Sequence, residues 1–313
     1  MAPIAAKTTI LRIGTRGSAL ALAQAHAVQA RLGAACGLAA ERIEIKVIRT
    51  SGDAVLDRPL AELGGKGLFT KEIEQALLAG TIDIAVHSTK DVPAALPDGL
   101  TLRAFLPRED PRDALVSRRG ESFSGLPTGS RVGTSSPRRQ ALLRHLRPDL
   151  TIVPLRGNVE TRLRKIESGE ADATILAVAG LKRLGLLAAA TAILDPGDFL
   201  PTAGQGAIGI EIRGNDARTA ALVAAINDAD TADAVTTERA FLAVLDGNCR
   251  TPIAAYAQLD RDTIRFRGMI ARPDGSDVLE VARQGPRSAA ATLGREAGAA
   301  LKMRGGADFF VQD

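Results

Sequence analysis

Only two cysteines occur in the 313 residues, Cys36 and Cys249, and the second stands in an odd place. The stretch LDGNCRTP, 245–252, follows a helix-like run and is small and polar. A buried structural cysteine keeps apolar company. Cys249 instead sits between Asn248 and Arg250, and a cation beside a thiol favours the thiolate, the form that attacks or tethers. There is no CxxC pair and no metal-ligand spacing to His26, His87 or His145, so no metal site is read. A second candidate is Asp91 in HSTKDVP, 87–93. A buried apolar strand ends there, Ser88, Lys90 and Asp91 follow at its exit, and Val92 is held extended by Pro93. A carboxylate in that position either caps a turn or serves as acid, base or cation stabiliser.

Cations and hydroxyls gather at two further strand exits. TRGS places Arg16 and Ser18 where a strand hands over to a helix. TSSPRRQ places Thr134, Ser135, Ser136, Arg138 and Arg139 at a matching point. Arg156 and Arg162 follow in LRGNVETRLRK, and Arg183 in LKRLG. Helix N-termini offer free N–H groups, and arginine adds a planar fork suited to carboxylates. Any one of these residues alone reads as a solvated surface group. Two matched turns carrying both arginine and hydroxyls read as an anion-binding cleft. The glycine motif GQGAIG, 204–209, is different: it runs into the alternating IGIEIR rather than a helix. It reads as a backbone crossover and not as a dinucleotide site.

These residues need a scaffold. Strand-like ILRIG, RIEIKVIRT and IDIAVHS alternate with helical ALALAQAHAVQARL and FTKEIEQALLAG, which argues for an α/β fold. The pattern then repeats itself. RIGTRGSALALAQ, 12–24, is echoed by RVGTSSPRRQALL, 131–143, and GTIDIAVHS, 80–88, by GEADATILA, 169–177. Two lobes of similar architecture enclosing a cleft are expected. After residue 228 a helix, three strand-like runs separated by turns and a C-terminal helix make a third, α+β domain. Aromatic residues are 3% of the chain, so the cores must be aliphatic, and the base-stacking surface of a nucleic-acid binder is not found. The net charge of +4 and pI of about 9.3 favour an anionic partner without naming it. No run is apolar enough to cross a bilayer and the N-terminus lacks a signal-peptide pattern, so a cytoplasmic protein with reduced thiols is expected.

Taken together, RIGTRGSALALAQA, GGKGLFTKEIEQALL, DIAVHSTKDVP, REDPRDALVS, VGTSSPRRQ, LRGNVETRL, LAVAGLKRLG, PTAGQGAIGIE and DGNCRTPIAAYA resemble the porphobilinogen deaminase family, in its order, from Arg12 to about Tyr256. The resemblance implies three domains: 1–107 with 201–224, 108–200, and 228–313. The first two are similar to periplasmic-binding-protein lobes around a cleft, and the third carries an antiparallel three-stranded sheet. It implies a transferase of tetrapyrrole and heme biosynthesis that condenses four porphobilinogen units with loss of ammonia and releases hydroxymethylbilane. It also implies a dipyrromethane cofactor joined to Cys249 by a thioether. The turn here reads GNCRTP where GGCQVP is frequent in the family, with the cysteine intact.

By the same resemblance Asp91 is the catalytic carboxylate, which stabilises the azafulvene cation left when the amine departs. Lys90, Asp91, Thr134, Ser136, Arg138 and Arg139 hold the cofactor. Arg16, Ser18, Arg156, Arg162 and Arg183 hold the substrate, with Lys66 on a glycine-rich lid. Each pyrrole unit carries an acetate and a propionate, which is why such a chain needs a cationic cleft. A monomer without nucleic acid, membrane or metal is the expected working form. The rival is a non-enzymatic two-lobe binding protein for small carboxylated anions. It explains the arginines but leaves Cys249 and Asp91 without a task.

Overall fold

The structure, a computed structural model, describes residues 10–54, 67–246, 251–306 and 309–310. The first lobe contains β1 (Leu11–Thr15), α1 (Ala19–Cys36), β2 (Ile43–Val47), α2 (Ser51–Ala54), α3 (Lys71–Leu78), β3 (Ile84–Ser88) and β4 (Leu100–Phe105). The chain then crosses to β5 (Asp113–Ser117), β6 (Arg131–Gly133), α4 (Pro137–Leu146), β7 (Thr151–Val153), α5 (Val159–Glu167), β8 (Ala173–Ala177), α6 (Val178–Arg183) and β9 (Ala192–Ile193). It returns through β10 (Ile208–Arg213) and α7 (Ala217–Ala224). A third unit follows: α8 (Ala229–Val244), β11 (Ile253–Asp260), β12 (Thr263–Ala271), β13 (Val278–Pro286) and α9 (Ala290–Gly305).

The two large sheets share one topology. Their orders are β2-β1-β3-β10-β4 and β7-β6-β8-β5-β9. In each, the first three strands run parallel. The fourth runs antiparallel to both neighbours and is the first strand after a crossing between lobes. The third sheet is an antiparallel meander, β11-β12-β13. The expected class holds: two α/β lobes of like topology and a small α+β unit.

The sequence echo has an atomic counterpart. Arg12 is the second residue of β1; its N–H and guanidinium reach Asp83, just before β3, at 2.8, 2.9 and 2.7 Å. Arg131 opens β6, and its N–H reaches Asp172, just before β8, at 2.7 Å. The same carboxylate ties together the same two strand starts in both lobes. Ser18 caps α1, accepting from Ala21 N–H at 3.3 Å, and α1 buries Ala25, Val28 and Leu32 against β1, β3 and β10. In the second lobe Leu142 and Leu143 of α4 pack with Val132 and Ile175, and the same cluster takes in Met269 and Ala271 of β12. The third unit meets the first lobe elsewhere, where Val235 of α8 packs on Phe105 and Ala207. Its own core holds an aromatic pair, Phe241 and Phe266, edge to face at 5.2 Å.

Candidate active site

β3 carries the chemistry to the mouth of the first lobe. Four of its five residues are buried, and Ser88 at its end accepts a hydrogen bond from Gln24 Nε2 of α1 at 2.8 Å. One tight turn follows, Thr89–Asp91, closed by Val92 N–H to Thr89 O at 3.2 Å. Asp91 then lines a cavity with Arg16, Ser18, Gln24, Phe69 and His87. Arg16 lies over the Phe69 ring, 4.2 Å from its centre, a cation–π contact that orients the guanidinium.

Behind Asp91 lies a buried cationic group. Lys90 Nζ donates to Gln205 Oε1 at 3.2 Å. Burial pushes the Lys90 ammonium down to about 8; Arg139 and Arg138 push the same way, and Asp91 and Asp113 oppose them. Burial likewise lowers Arg162 to about 10, helped by Arg139 and Arg156 and opposed by Asp91. Arg162 also donates from Nε to Gly157 O at 2.8 Å. Arg138 and Arg139 are buried side by side at the start of α4, each with an Nη2 on a separate oxygen of Asp113 at 2.6 Å. Their Nη1 atoms donate to Leu200 O at 2.7 Å and Ile175 O at 2.8 Å. Burial would raise the Asp113 carboxyl, but the charges and hydrogen bonds of the two arginines hold it well below the usual carboxylate range. The Nε atoms of Arg138 and Arg139 and Nη1 of Arg156 are buried with no partner among the described residues.

The expected site residues therefore fall into groups. Arg16, Ser18 and Asp91 share one cavity. Lys90, Arg138, Arg139, Arg156 and Arg162 form one electrostatic neighbourhood with Asp91 and Asp113. Thr134 is buried and its hydroxyl accepts from Ser136 N–H at 3.2 Å, while Ser136 caps α4. Arg183 sits at the return crossing, donating to Gly206 O at 2.6 Å. Lys66 and Cys249 lie outside the described residues.

Two partners were missed by the sequence reading. Asp113 is one, a buried acid opening an apolar strand, and Gln205 is the other. The Gln205 side chain is fully buried and donates to Asp113 Oδ1 at 2.9 Å and Pro111 O at 2.7 Å while accepting from Lys90. The glycines beside it show why the motif is a crossover. Gly204, at φ 70°, leaves no room: a Cβ there would come 2.9 Å from Thr89 Cγ2. At Gly206, φ 88°, a Cβ would come 2.2 Å from Glu109 O of the outward crossing. The two crossings pass backbone against backbone, which only glycine permits.

Comparison with known proteins bears on this arrangement. Residues 11–221 match the family model described as porphobilinogen deaminase, dipyromethane cofactor binding domain, and residues 232–303 match the porphobilinogen deaminase C-terminal domain. The porphobilinogen deaminase of Nitrobacter hamburgensis is 60% identical over 299 residues, 96% of this chain and 95% of its own. That of Paracoccus denitrificans is 58% identical over 300 residues, 96% of each chain. Solved structures include the periplasmic VFT2 domain of Bordetella pertussis BvgS, at 16% identity and a TM-score of 0.42 over 69% of this chain and 86% of that one. They also include an arginine-specific periplasmic binding protein of Salmonella typhimurium, at 16% identity and a TM-score of 0.38 over 69% and 91%. With one family model spanning both lobes, a second spanning the third unit, and relatives matched over nearly their whole length, the chain belongs to the porphobilinogen deaminase family.

Proposed function

We propose that this chain joins four porphobilinogen molecules head to tail on a dipyrromethane primer held by Cys249, releasing ammonia at each addition, and then frees hydroxymethylbilane by hydrolysis. The observation that carries this reading is the surplus of positive charge beside Asp91, buried at Arg138 and Arg139 and half-buried at Lys90, Arg156 and Arg162. Lys90, Arg138, Arg139, Arg156 and Arg162 outnumber the carboxylates among them, and three of their N–H-bearing nitrogens lack a partner among the described residues. Buried charge and buried donors without acceptors are costly unless a ligand completes them. A pyrrole chain with two carboxylates per unit supplies such acceptors, so the donor set fits the cofactor as well as the substrate.

Lys90, Arg138 and Arg139, with the Thr134 and Ser136 hydroxyls, are assigned to the cofactor carboxylates. Arg16, Ser18, Arg156, Arg162, Arg183 and Lys66 are assigned to the incoming unit. When bound, dipyrromethane supplies the nucleophilic pyrrole end to which the first unit is joined. Asp91 stabilises the positive charge that develops on the substrate ring as ammonia leaves, and holds the ring by its N–H. The working units are taken as 1–107 with 201–224, 108–200 and 228–313, in a cytoplasmic monomer.

Intact mass tests the reading. The purified protein should exceed its sequence mass by two linked pyrrole units, and a Cys249→Ser variant should not. Added porphobilinogen should then raise the mass in pyrrole-sized steps with release of ammonia. A mass that never moves would leave only an anion-binding protein.

A further inference from the structure

The turn that presents Asp91 has little to hold it from within. Beyond the single bond from Val92 N–H to Thr89 O, Pro93 brings no N–H of its own. The carbonyls of Val92, Pro93 and Ala94 receive no backbone N–H among the described residues. One side chain takes all three. Arg239 of α8 donates from Nη1 to Val92 O at 3.1 Å, and from Nη2 to Pro93 O at 2.7 Å and Ala94 O at 3.1 Å. Burial lowers the Arg239 pKa, and the charge of Glu211 opposes it. A guanidinium drawn out of water and set against carbonyls rather than a carboxylate is a costly way to stabilise a helix face. It is an effective way to fix three consecutive peptide groups.

The helix that carries Arg239 is itself pinned. Glu238, the preceding residue, is fully buried and takes both Arg108 Nη atoms, at 2.6 and 3.1 Å. Its oxygens also accept from Gly204 N–H at 2.6 Å and Ala257 N–H at 2.8 Å. Those partners lie on the outward crossing, the return crossing and β11. Two adjacent residues of α8 therefore tie the Asp91 turn to both crossings and to the third sheet.

We propose that Arg239 is a positioning residue for Asp91: by locking the backbone of Val92–Ala94 to α8, it keeps the carboxylate at one place in the cleft through successive additions. The catalytic consequence rests on the deaminase reading; the structural one does not. The test compares cofactor-loaded Arg239→Gln and Arg239→Lys with Phe241→Leu, a core change on the same helix that costs stability without touching the turn. Hydrogen exchange at the amides of Lys90, Asp91 and Val92 should quicken about ten-fold or more in Arg239→Gln, because the C-terminal side of the turn loses its anchor to α8 while Thr89 N–H keeps its bond to Ala207 O. Its kcat should fall by about ten- to a hundred-fold, with KM for porphobilinogen within about three-fold, as expected when a reacting group is displaced but binding groups are not. Arg239→Lys should recover part of both, and Phe241→Leu should leave both near the parent values at a matched loss of melting temperature.

Exchange and kcat in Arg239→Gln within two-fold of the parent would overturn the inference, as would an equal change in Phe241→Leu. Should Arg239→Gln fail to fold, Arg239→Lys carries the same comparison. A parent enzyme that released no ammonia would sink the deaminase reading alone. The exchange comparison would still decide the inference, and an unchanged turn would end it.

Discussion

Lys90 and Asp91 are adjacent and opposite in charge, and the site asks different things of them. In the proposed reaction Asp91 acts as a carboxylate facing developing positive charge. Asp91→Glu should therefore keep weak activity, while Asp91→Asn, similar in size but neutral, should lose about a hundred- to a thousand-fold in ammonia release. Equal rates in the two variants would refute the charge argument. Lys90 titrates. Its folded pKa of about 8 lies below the ordinary lysine value near 10.4. Between these values the unfolded chain binds the extra proton, so the penalty of burying Lys90 is full below about pH 8 and is relieved as pH rises. On the proposed assignment, its hold on the cofactor carboxylates is lost over the same rise. Binding of dipyrromethane by the cofactor-free protein should weaken as pH passes from 7 to about 9, and in Lys90→Gln it should be weaker from the start and flat across that range; a parallel loss in the variant would assign the titration elsewhere. Asp91 and Arg16 were legible in the sequence because each stands at the exit of a strand whose apolar run announces it. Asp113 was not: it opens an ordinary apolar strand, and the arginines that give it meaning come 25 and 26 residues later.

Strand and helix periodicity made the elements readable, and the echo of 12–24 in 131–143 announced that they repeat. The fourth strand of each large sheet was less readable. IGIEIR alternates like any half-buried strand, and nothing local says that β10 runs back between β3 and β4 rather than staying with the second lobe. Pairing at that sequence distance is set by the crossings, not by alternation. The carboxylate ties at the strand starts are local enough to test separately. The Asp83 side chain is 17% exposed and holds Arg12 by three hydrogen bonds, whereas that of Asp172 is 42% exposed, with the Arg131 Nε at 3.6 Å. Burial would raise the Asp83 carboxyl, but its bonds to Arg12 bring it below the usual value. Asp83→Ala should cost about 2 kcal/mol in denaturant unfolding at pH 7, in the range for hydrogen bonds to charged groups. Asp172→Ala should cost under about 1 kcal/mol, as for exposed pairs. Because the folded pKa of Asp83 is depressed, its contribution is complete above the unfolded aspartate pKa and disappears as pH falls through the folded one. The gap between parent and Asp83→Ala should therefore close in acid; a gap that persists there would mean that the carboxylate charge is not what ties β1 to β3.

At the scale of the whole molecule, the two crossings and the buried arginines form one junction. Asp113 at the start of β5 receives Arg138 and Arg139 from α4 and Gln205 from the return crossing, and Gln205 in turn receives Lys90 from the turn that carries Asp91. Two buried guanidinium groups thus share one carboxylate, and the remaining charge has no counterpart within that set. Removing the carboxylate should be severe. Asp113→Asn keeps the shape but strands both cations, a loss of about 3–5 kcal/mol by analogy with broken buried pairs. If the unpartnered Nε atoms of Arg138 and Arg139 face the cofactor carboxylates, as their assignment requires, a second source of negative charge exists whenever the cofactor is in place. Loading then stabilises the folded state by binding it alone, and more strongly when Asp113 is gone. Melting temperatures should be measured for parent and Asp113→Asn, each with and without dipyrromethane. The parent should rise on loading, and the variant should rise further, recovering part of its deficit. An equal deficit in loaded and unloaded forms would mean that Asp113 alone balances the pair, and the assignment of Arg138 and Arg139 to the cofactor would fall while Lys90, Arg156 and Arg162 remained.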